Sequence, residues 1–365
     1  MCAMKPNWKF AMILAQLFCL LFMFCGCEYN GCGGSPLPEQ TNAPEDMQTA
    51  PERTAAAVCM GSVSHPAHRI VQLGFMEKAE ELGYEGHILG LDAGSMQELY
   101  DCWLKGAKEH DIAGAVCWVG DDSAYECLKE LHGMGVKTVV PYFQHTYTAT
   151  KDFIDVNPCH DIGISAQYAA EFIGQALRDR GVLSGSIGLT AFGTGVTSTM
   201  DLHMFIAYMQ ERYPEYVILD VRFEAMDPAY DREEILDYIC QNPDMVASFG
   251  ATGGSAQAWA AAKKAAGRED IVTVAYDYAR VNLDTLSAGG VDALIAQPFY
   301  DSGARGMELI QELLCGHVYS ISESLWRQHL DAPLIYTDGE GAHNPAYYYG
   351  LHERSETRFG LGQEE

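Results

Sequence analysis

The chain has 365 residues, 48% hydrophobic and 20% charged, the composition of a folded protein with a sizeable core rather than a disordered one. Its formal charge of −27 excludes nucleic acid as a partner, because phosphate binding needs Lys and Arg to displace counterions, and it disfavours electrostatic adsorption to anionic lipid.

At the start, Lys5 and Lys9 precede the uncharged run Phe10 to Phe24, "FAMILAQLFCLLFMF". The run is short for a bilayer span, which takes roughly 20 residues, and suits the apolar core of an export signal. Small residues follow at Gly26 and Cys27. The stretch "GGSPLPEQTNAPEDMQTAPER" is polar, proline-rich and without apolar period, so it reads as an extended linker.

From Ala55 onward, short apolar runs alternate with amphipathic ones. Strands are expected at 56–61, 85–91, 114–119 and 137–142, with a fifth candidate at 152–156. A second series follows at 186–190, 217–223, 245–250, 271–276 and 293–296. Helices are expected between them, at 67–82, 96–110, 122–133, 162–180, 199–213, 231–240, 255–266, 280–288 and 302–314. Past Gly316 the rhythm stops, leaving one last strand and then an irregular, aromatic-rich tail with Tyr347, Tyr348 and Tyr349.

Repeated βα alternation with short connections implies parallel sheets covered by helices on both faces. So many strands are better housed in two sheets than in one. The fold class expected is therefore α/β, with two doubly wound parallel-sheet lobes, a hinge and an interlobe cleft. The expected organisation is a signal over 1–27, a linker over 28–54, one lobe from 55–156 with 298–322, a second from 157–297 with 323–340, and a tail over 341–365. The chain is expected to cross between lobes near Val156, Pro298 and Glu323.

Ligands of such sheets bind outside the carboxyl ends of the strands, so the residues after each strand are the site candidates. In the first lobe these include Ser64, His68, Trp118 and Tyr142; in the second, Thr199, Thr252, Asp277 and Gln297. The set is rich in aromatics, hydroxyls and amides, with a single obvious acid. Such a lining suits a small neutral polyhydroxylated ligand: aromatic faces cover C–H patches while Asp and Gln fix hydroxyls.

Other chemistry is disfavoured. His65 and His68 stand three apart without a third ligand of suitable spacing, so no metal is expected. "FGTGVTST" and "SFGATGGSA" each follow a strand and open a helix, yet neither is a GxxxxGK[ST] or GxGxxG loop, so no nucleotide cofactor is expected. No GxSxG elbow or pair of catalytic carboxylates is legible, so an enzyme is not expected. Of the twelve cysteines, those beyond the linker are isolated in apolar or amphipathic runs without a CxxC, and read as small hydrophobes rather than a disulfide framework.

The stretch "VSHPAHRIVQLGFMEKAEELGY" resembles the first strand, ligand loop and helix of the type I periplasmic sugar-binding proteins. The resemblance continues through "AGAVCWVGDDSAYECLKELHGMGVKTVV" and "DFIDVNPCHDIGISAQYAAEFI", and is clearest from "NPDMVASFGATGGSAQAW" to "DALIAQPFYDSGARGMELI". It covers roughly residues 55 to 315. It implies that Asp277, after "VTVAY", and Gln297, closing "ALIAQ", contact ligand hydroxyls, and that Thr252 stands where ribose-type members often carry asparagine. Three positions depart from the pattern: Ala67-His68 replaces an aromatic pair, Tyr142-Phe143 replaces an acid–arginine pair, and the arginine expected near Thr199 is absent. These departures point away from ribose itself.

The resemblance further implies capture by lobe closure and delivery to the permease of an ABC transporter, or presentation to a histidine kinase or chemoreceptor. It also gives the N-terminal cysteines a reading. Cys27, after Gly26 at the end of the apolar run, fits the lipidated cysteine of a lipoprotein signal, which would anchor the exported protein to the outer face of the cytoplasmic membrane.

Overall fold

The computed structural model describes residues 54–119, 122–193, 196–225 and 227–360; over 196–200 and at 228 only the backbone is described. The expected signal, Cys27 and linker lie outside the described residues.

The first sheet begins with β1 (Ala55–Gly61), followed by α1 (Pro66–Leu82), β2 (Glu85–Leu91), α2 (Met96–Glu109), β3 (Gly114–Cys117), α3 (Tyr125–Gly133) and β4 (Lys137–Val139). The strands run parallel in the order β2-β1-β3-β4, with Val58 opposite both Ile88 and Val116. β1 is an unbroken apolar run because helices cover both faces of its sheet. Helix limits follow local chemistry. Pro66 opens α1, and Gly83 ends it at φ +76° with Tyr84 N–H closing back on Ala79 O. At α2, Ser95 and Glu98 form a reciprocal capping box.

A short α4 (Tyr147–Thr150) leads to β5 (Asn157–His160), then α5 (Ile162–Asp179), β6 (Gly185–Phe192), α6 (Val196–Arg212), β7 (Tyr216–Ile218), β8 (Arg222–Glu224), α7 (Pro228–Gln241), β9 (Met245–Gly250), α8 (Ser255–Ala266), β10 (Val272–Tyr276), α9 (Arg280–Ser287) and β11 (Ala293–Ile295). The chain then enters α10 (Phe299–Leu314), α11 (Glu323–Trp326), β12 (Arg327–Leu330), β13 (Leu334–Ile335) and α12 (Pro345–Phe359). The second sheet has the order β13-β11-β10-β9-β6-β7, with β8 also on β6; only β13 runs antiparallel. The stretch 217–223, expected as one strand, is broken into β7 and β8 around Asp220.

Three stretches of chain link the sheets. β5 leaves the first and pairs in parallel with β12, Asn157 opposite Arg327. The third stretch is Ala296 to Pro298, between β11 and α10. α10 returns to the first lobe and crosses α1 at very close range. A Cβ on Gly74 would stand 2.1 Å from Tyr300 O, and one on Gly303 would stand 2.0 Å from Val71 O, so both positions must be glycine. Trp326, fully buried, donates its indole N–H to Ile154 O at 2.7 Å and holds α11 in the first lobe's core.

The C-terminal region corrects the expectation of an irregular tail. Asn344 Oδ1 accepts from Ala346 N–H, Pro345 takes the first helical position and Gly360 closes the end at φ +72°. Three tyrosines in a row are mediocre helix formers, and packing overrides that preference: Tyr348 and Leu351 are buried in a cluster shared with α1 and α9. Cys59, Cys117, Cys127 and Cys159 are free and buried, while Cys240 and Cys315 are free and exposed.

Candidate ligand cleft

β10 delivers Asp277 one residue past its end, and the backbone there is left-handed, at φ +69°. A non-glycine residue in that region costs free energy and persists only where its surroundings enforce it. The enforcement is visible. Asp277 N–H donates to Ile295 O at 3.0 Å. Buried Asn282 donates from Nδ2 to Gly253 O at 2.8 Å and to Tyr276 O and Asp277 O at 3.3 Å, tying two strand-end loops together. A Cβ on Gly253 would come within 2.6 Å of Asp277 Oδ2, so the glycine makes room for the carboxyl.

Asp277 Oδ1 is sealed from solvent and has no hydrogen-bond partner. Burial pushes its carboxyl up to about 7, offset in part by a hydrogen bond from the Gln297 side chain. Gln297 Oε1 is likewise sealed and unpartnered. A second carboxyl, not anticipated from the sequence, joins them. Asp201 on α6 is 4% exposed, its Oδ1 is sealed and unpartnered, and burial pushes it up to about 7 despite a bond to Tyr276. The charge on Asp277 adds to that shift. Behind them Tyr276 OH lies 3.3 Å from Ser165 Oγ, which lies 2.8 Å from His160 Nε2. Burial holds that imidazole down at about 4, so it is neutral.

The facing wall belongs to the first lobe. Trp118 and Tyr142 stack with ring centroids 4.5 Å apart and planes 26° off parallel. Phe299, at the head of α10, packs on both, at 6.1 and 6.2 Å, and Phe143 meets Tyr142 edge-on. Tyr142 is itself left-handed, at φ +84°. Its hydroxyl is pushed far above the ordinary phenol value by burial and by Asp277 and Asp201, against a bond from Gln297. His68 lies 5.9 Å from Trp118. Its Nδ1 faces two carbonyls, Gly61 O at 2.8 Å and Ser62 O at 3.0 Å, so Nδ1 carries a proton.

Asp277, Gln297 and Tyr142 are thus brought together, with Trp118 and His68 continuing the wall. Thr252 is buried nearby, but its hydroxyl is engaged by Glu224 and by Ser255 Oγ at 2.9 Å. Ser64 is exposed, and its N–H donates to Asp92 Oδ1 at 2.7 Å. Thr199 falls in the first turn of α6, with its side chain outside the described residues. Sequence reading found no pair of interacting carboxyls, and the structure supplies one. Asp201 was legible only as an acid on the apolar face that carries Leu202 and Phe205; Phe299 stands in the strand-end segment Gln297 to Phe299, and Asn282 carried no signal of its own.

Two parallel-sheet lobes, with facing side chains supplied from the carboxyl ends of strands in each, define an α/β protein built to bind in a cleft. The chain belongs to the periplasmic binding protein domain family, whose model matches residues 56–317. The sugar-binding protein of a sugar ABC transporter from Bacillus halodurans is similar in structure, with a TM-score of 0.71 at 15% identity over 81% of this chain and 100% of that one. So is an arabinose-binding protein from Geobacillus stearothermophilus, at 0.69 and 16%, over 82% and 100%. An ABC transporter solute-binding protein from Agrobacterium vitis, bound with α-D-tagatopyranose, gives 0.64 and 19%, over 80% and 98%. The fold is that of a type I periplasmic binding protein, as the order of elements led one to expect.

Proposed function

We propose that the protein is an extracytoplasmic solute-binding protein that captures a small polyhydroxylated ligand, a sugar or related polyol, between its lobes for delivery to an ABC permease. One observation carries the reading: Asp277 Oδ1 and Gln297 Oε1 are sealed and unpartnered beside the Trp118–Tyr142 stack of the opposite lobe. A buried acceptor without a donor costs free energy that a ligand hydroxyl recovers, and the aromatic faces take the C–H side of a sugar ring. Closure follows because only the closed state reaches groups of both lobes at once. The solute-binding proteins similar in structure agree with this assignment.

Native mass spectrometry of the purified chain, followed by calorimetry over a panel of sugars and polyols, tests it. One-to-one binding of a panel member supports the reading; a chain that binds none of them sinks it. The membrane tether is proposed at Cys27. In cells, wild type should partition into a detergent phase and Cys27→Ser into the aqueous phase; identical partitioning of the two rules out the lipid anchor.

A further inference from the structure

We infer that the cleft is built for a ligand that carries a protonated amine among its hydroxyls, an amino sugar or amino-polyol. The inference rests on the reading of the cleft as a polyol site and narrows it, replacing the neutral ligand expected from the sequence with a cationic one.

The three sealed, unpartnered atoms on the cleft side chains, Asp201 Oδ1, Asp277 Oδ1 and Gln297 Oε1, are all acceptors. With the two carboxyls ionised these oxygens call for donors from the ligand, and an ammonium group brings three with no acceptor of its own while its charge favours the ionised state. Charge makes the same demand. Two carboxyl groups share a desolvated site, and among the described residues no Lys or Arg forms an ion pair with either. Two such groups without a counter-charge cannot both ionise, so the empty site holds on to protons that a bound cation would displace. The facing wall is aromatic: Trp118, Tyr142 and Phe299 cluster there, and such rings attract a cation desolvated beside them.

A neutral sugar satisfies the acceptors but leaves the carboxyl pair without a counter-charge.

The test uses the full chain and matched probes that differ only in the amine: D-glucosamine against D-glucose, D-galactosamine against D-galactose, and 1-amino-1-deoxy-D-sorbitol against D-sorbitol. Affinities are measured by calorimetry at constant ionic strength, at a pH where the amines are protonated. The amine member of at least one pair is expected to bind ten-fold or more tightly than its neutral partner, and N-acetylation should remove the advantage. Asp201→Asn should erase the preference while the variant's circular dichroism stays native; if that variant does not fold, Asp277→Asn is read in the same way. Neutral members binding as tightly as their amines would overturn the inference and leave the polyol reading standing. No binding by any probe would overturn both. A preference that survives in both Asn variants would also overturn the inference, because the carboxyls would then not be its source.

Discussion

Asp277 and Tyr278 are neighbours in sequence and opposites in environment. Asp277 faces the cleft, left-handed in backbone, with a sealed oxygen lacking a partner. Tyr278 faces away and is 2% exposed. Its ring packs on Phe299 at 5.4 Å and Tyr348 at 4.6 Å, and its carbonyl accepts from His352 Nε2 at 2.8 Å. Behind the hinge Tyr278 is packed among rings with its carbonyl bonded, while in front Asp277 is strained and under-bonded. Such a division suits the proposed binding site: packing behind holds side chains in positions they would not adopt alone, which leaves bonds that a ligand of the proposed kind would meet.

The comparison is broken most severely from behind. Tyr278→Ala should cost about 3 kcal/mol or more in urea denaturation, since it opens a cavity among rings that cannot all collapse into it. Asp277→Ala should behave in the opposite sense. The empty protein should melt no lower than wild type, because a buried carboxyl with one oxygen unpartnered has been removed, while stabilisation by any ligand disappears. Loss of the fold in Asp277→Ala, or retained affinity, would contradict the division of roles. Trp118→Ala comes next: losing half of the ring stack should weaken binding by about ten-fold, with the melting temperature of the empty protein changed less than in Tyr278→Ala.

The titration of the front gives a third contrast. Asp201 and Asp277 are both held up at about 7 in the folded protein, above the ordinary carboxylate value near 4. Between those values the folded state binds more protons than the unfolded one, so stability falls as pH rises. Their contribution is complete below about pH 4 and lost as pH rises through about 7. Carboxyls held low elsewhere, such as Glu98 by Ser95 and Asp270 by Arg268, act in the reverse sense. They stabilise above the ordinary value and lose that contribution as pH falls. The diagnostic is therefore a difference: the stability of Asp201→Asn relative to wild type should rise between pH 5 and pH 7.5. A flat difference would mean that Asp201 ionises normally in the folded state.

Most strands of both lobes were legible because an unbroken run such as "AAAVCM" between amphipathic helices fits a buried parallel strand and little else; the candidate at 152–156 was misplaced, since the strand there is β5 at Asn157–His160. Asp277, Gln297 and Tyr142 were legible because strand ends are where such sheets bind, and the order of motifs located those ends. Asp201 was not, because it lies in the body of the helix after β6, beyond the strand-end loop; only the three-dimensional path of α6 brings it to Tyr276. The role of Thr252 was also hidden. Nothing in the sequence says that Glu224 is buried beneath it and engages its hydroxyl. The C-terminal helix was missed because three tyrosines obscured the Asn-Pro start and glycine stop that bound it.

That helix allows the finest test of what holds the back together. α12 reaches both lobes by charge as well as by packing: Arg354 pairs with Glu77 of α1 at 3.1 Å, and Arg280 of α9 pairs with Glu356 at 2.9 Å. Arg354 is about half-exposed, so solvent and salt screen the pair and leave it worth at most about 1 kcal/mol. Tyr278 and Tyr348 are buried, and their packing contribution does not depend on ionic strength. Arg354→Ala should lower the melting temperature by only a degree or two, and raising the salt concentration should shrink that gap. If it instead destabilises as much as Tyr278→Ala, charge rather than packing fastens the back of the hinge, and the contrast drawn from Asp277 and Tyr278 has the wrong physical basis.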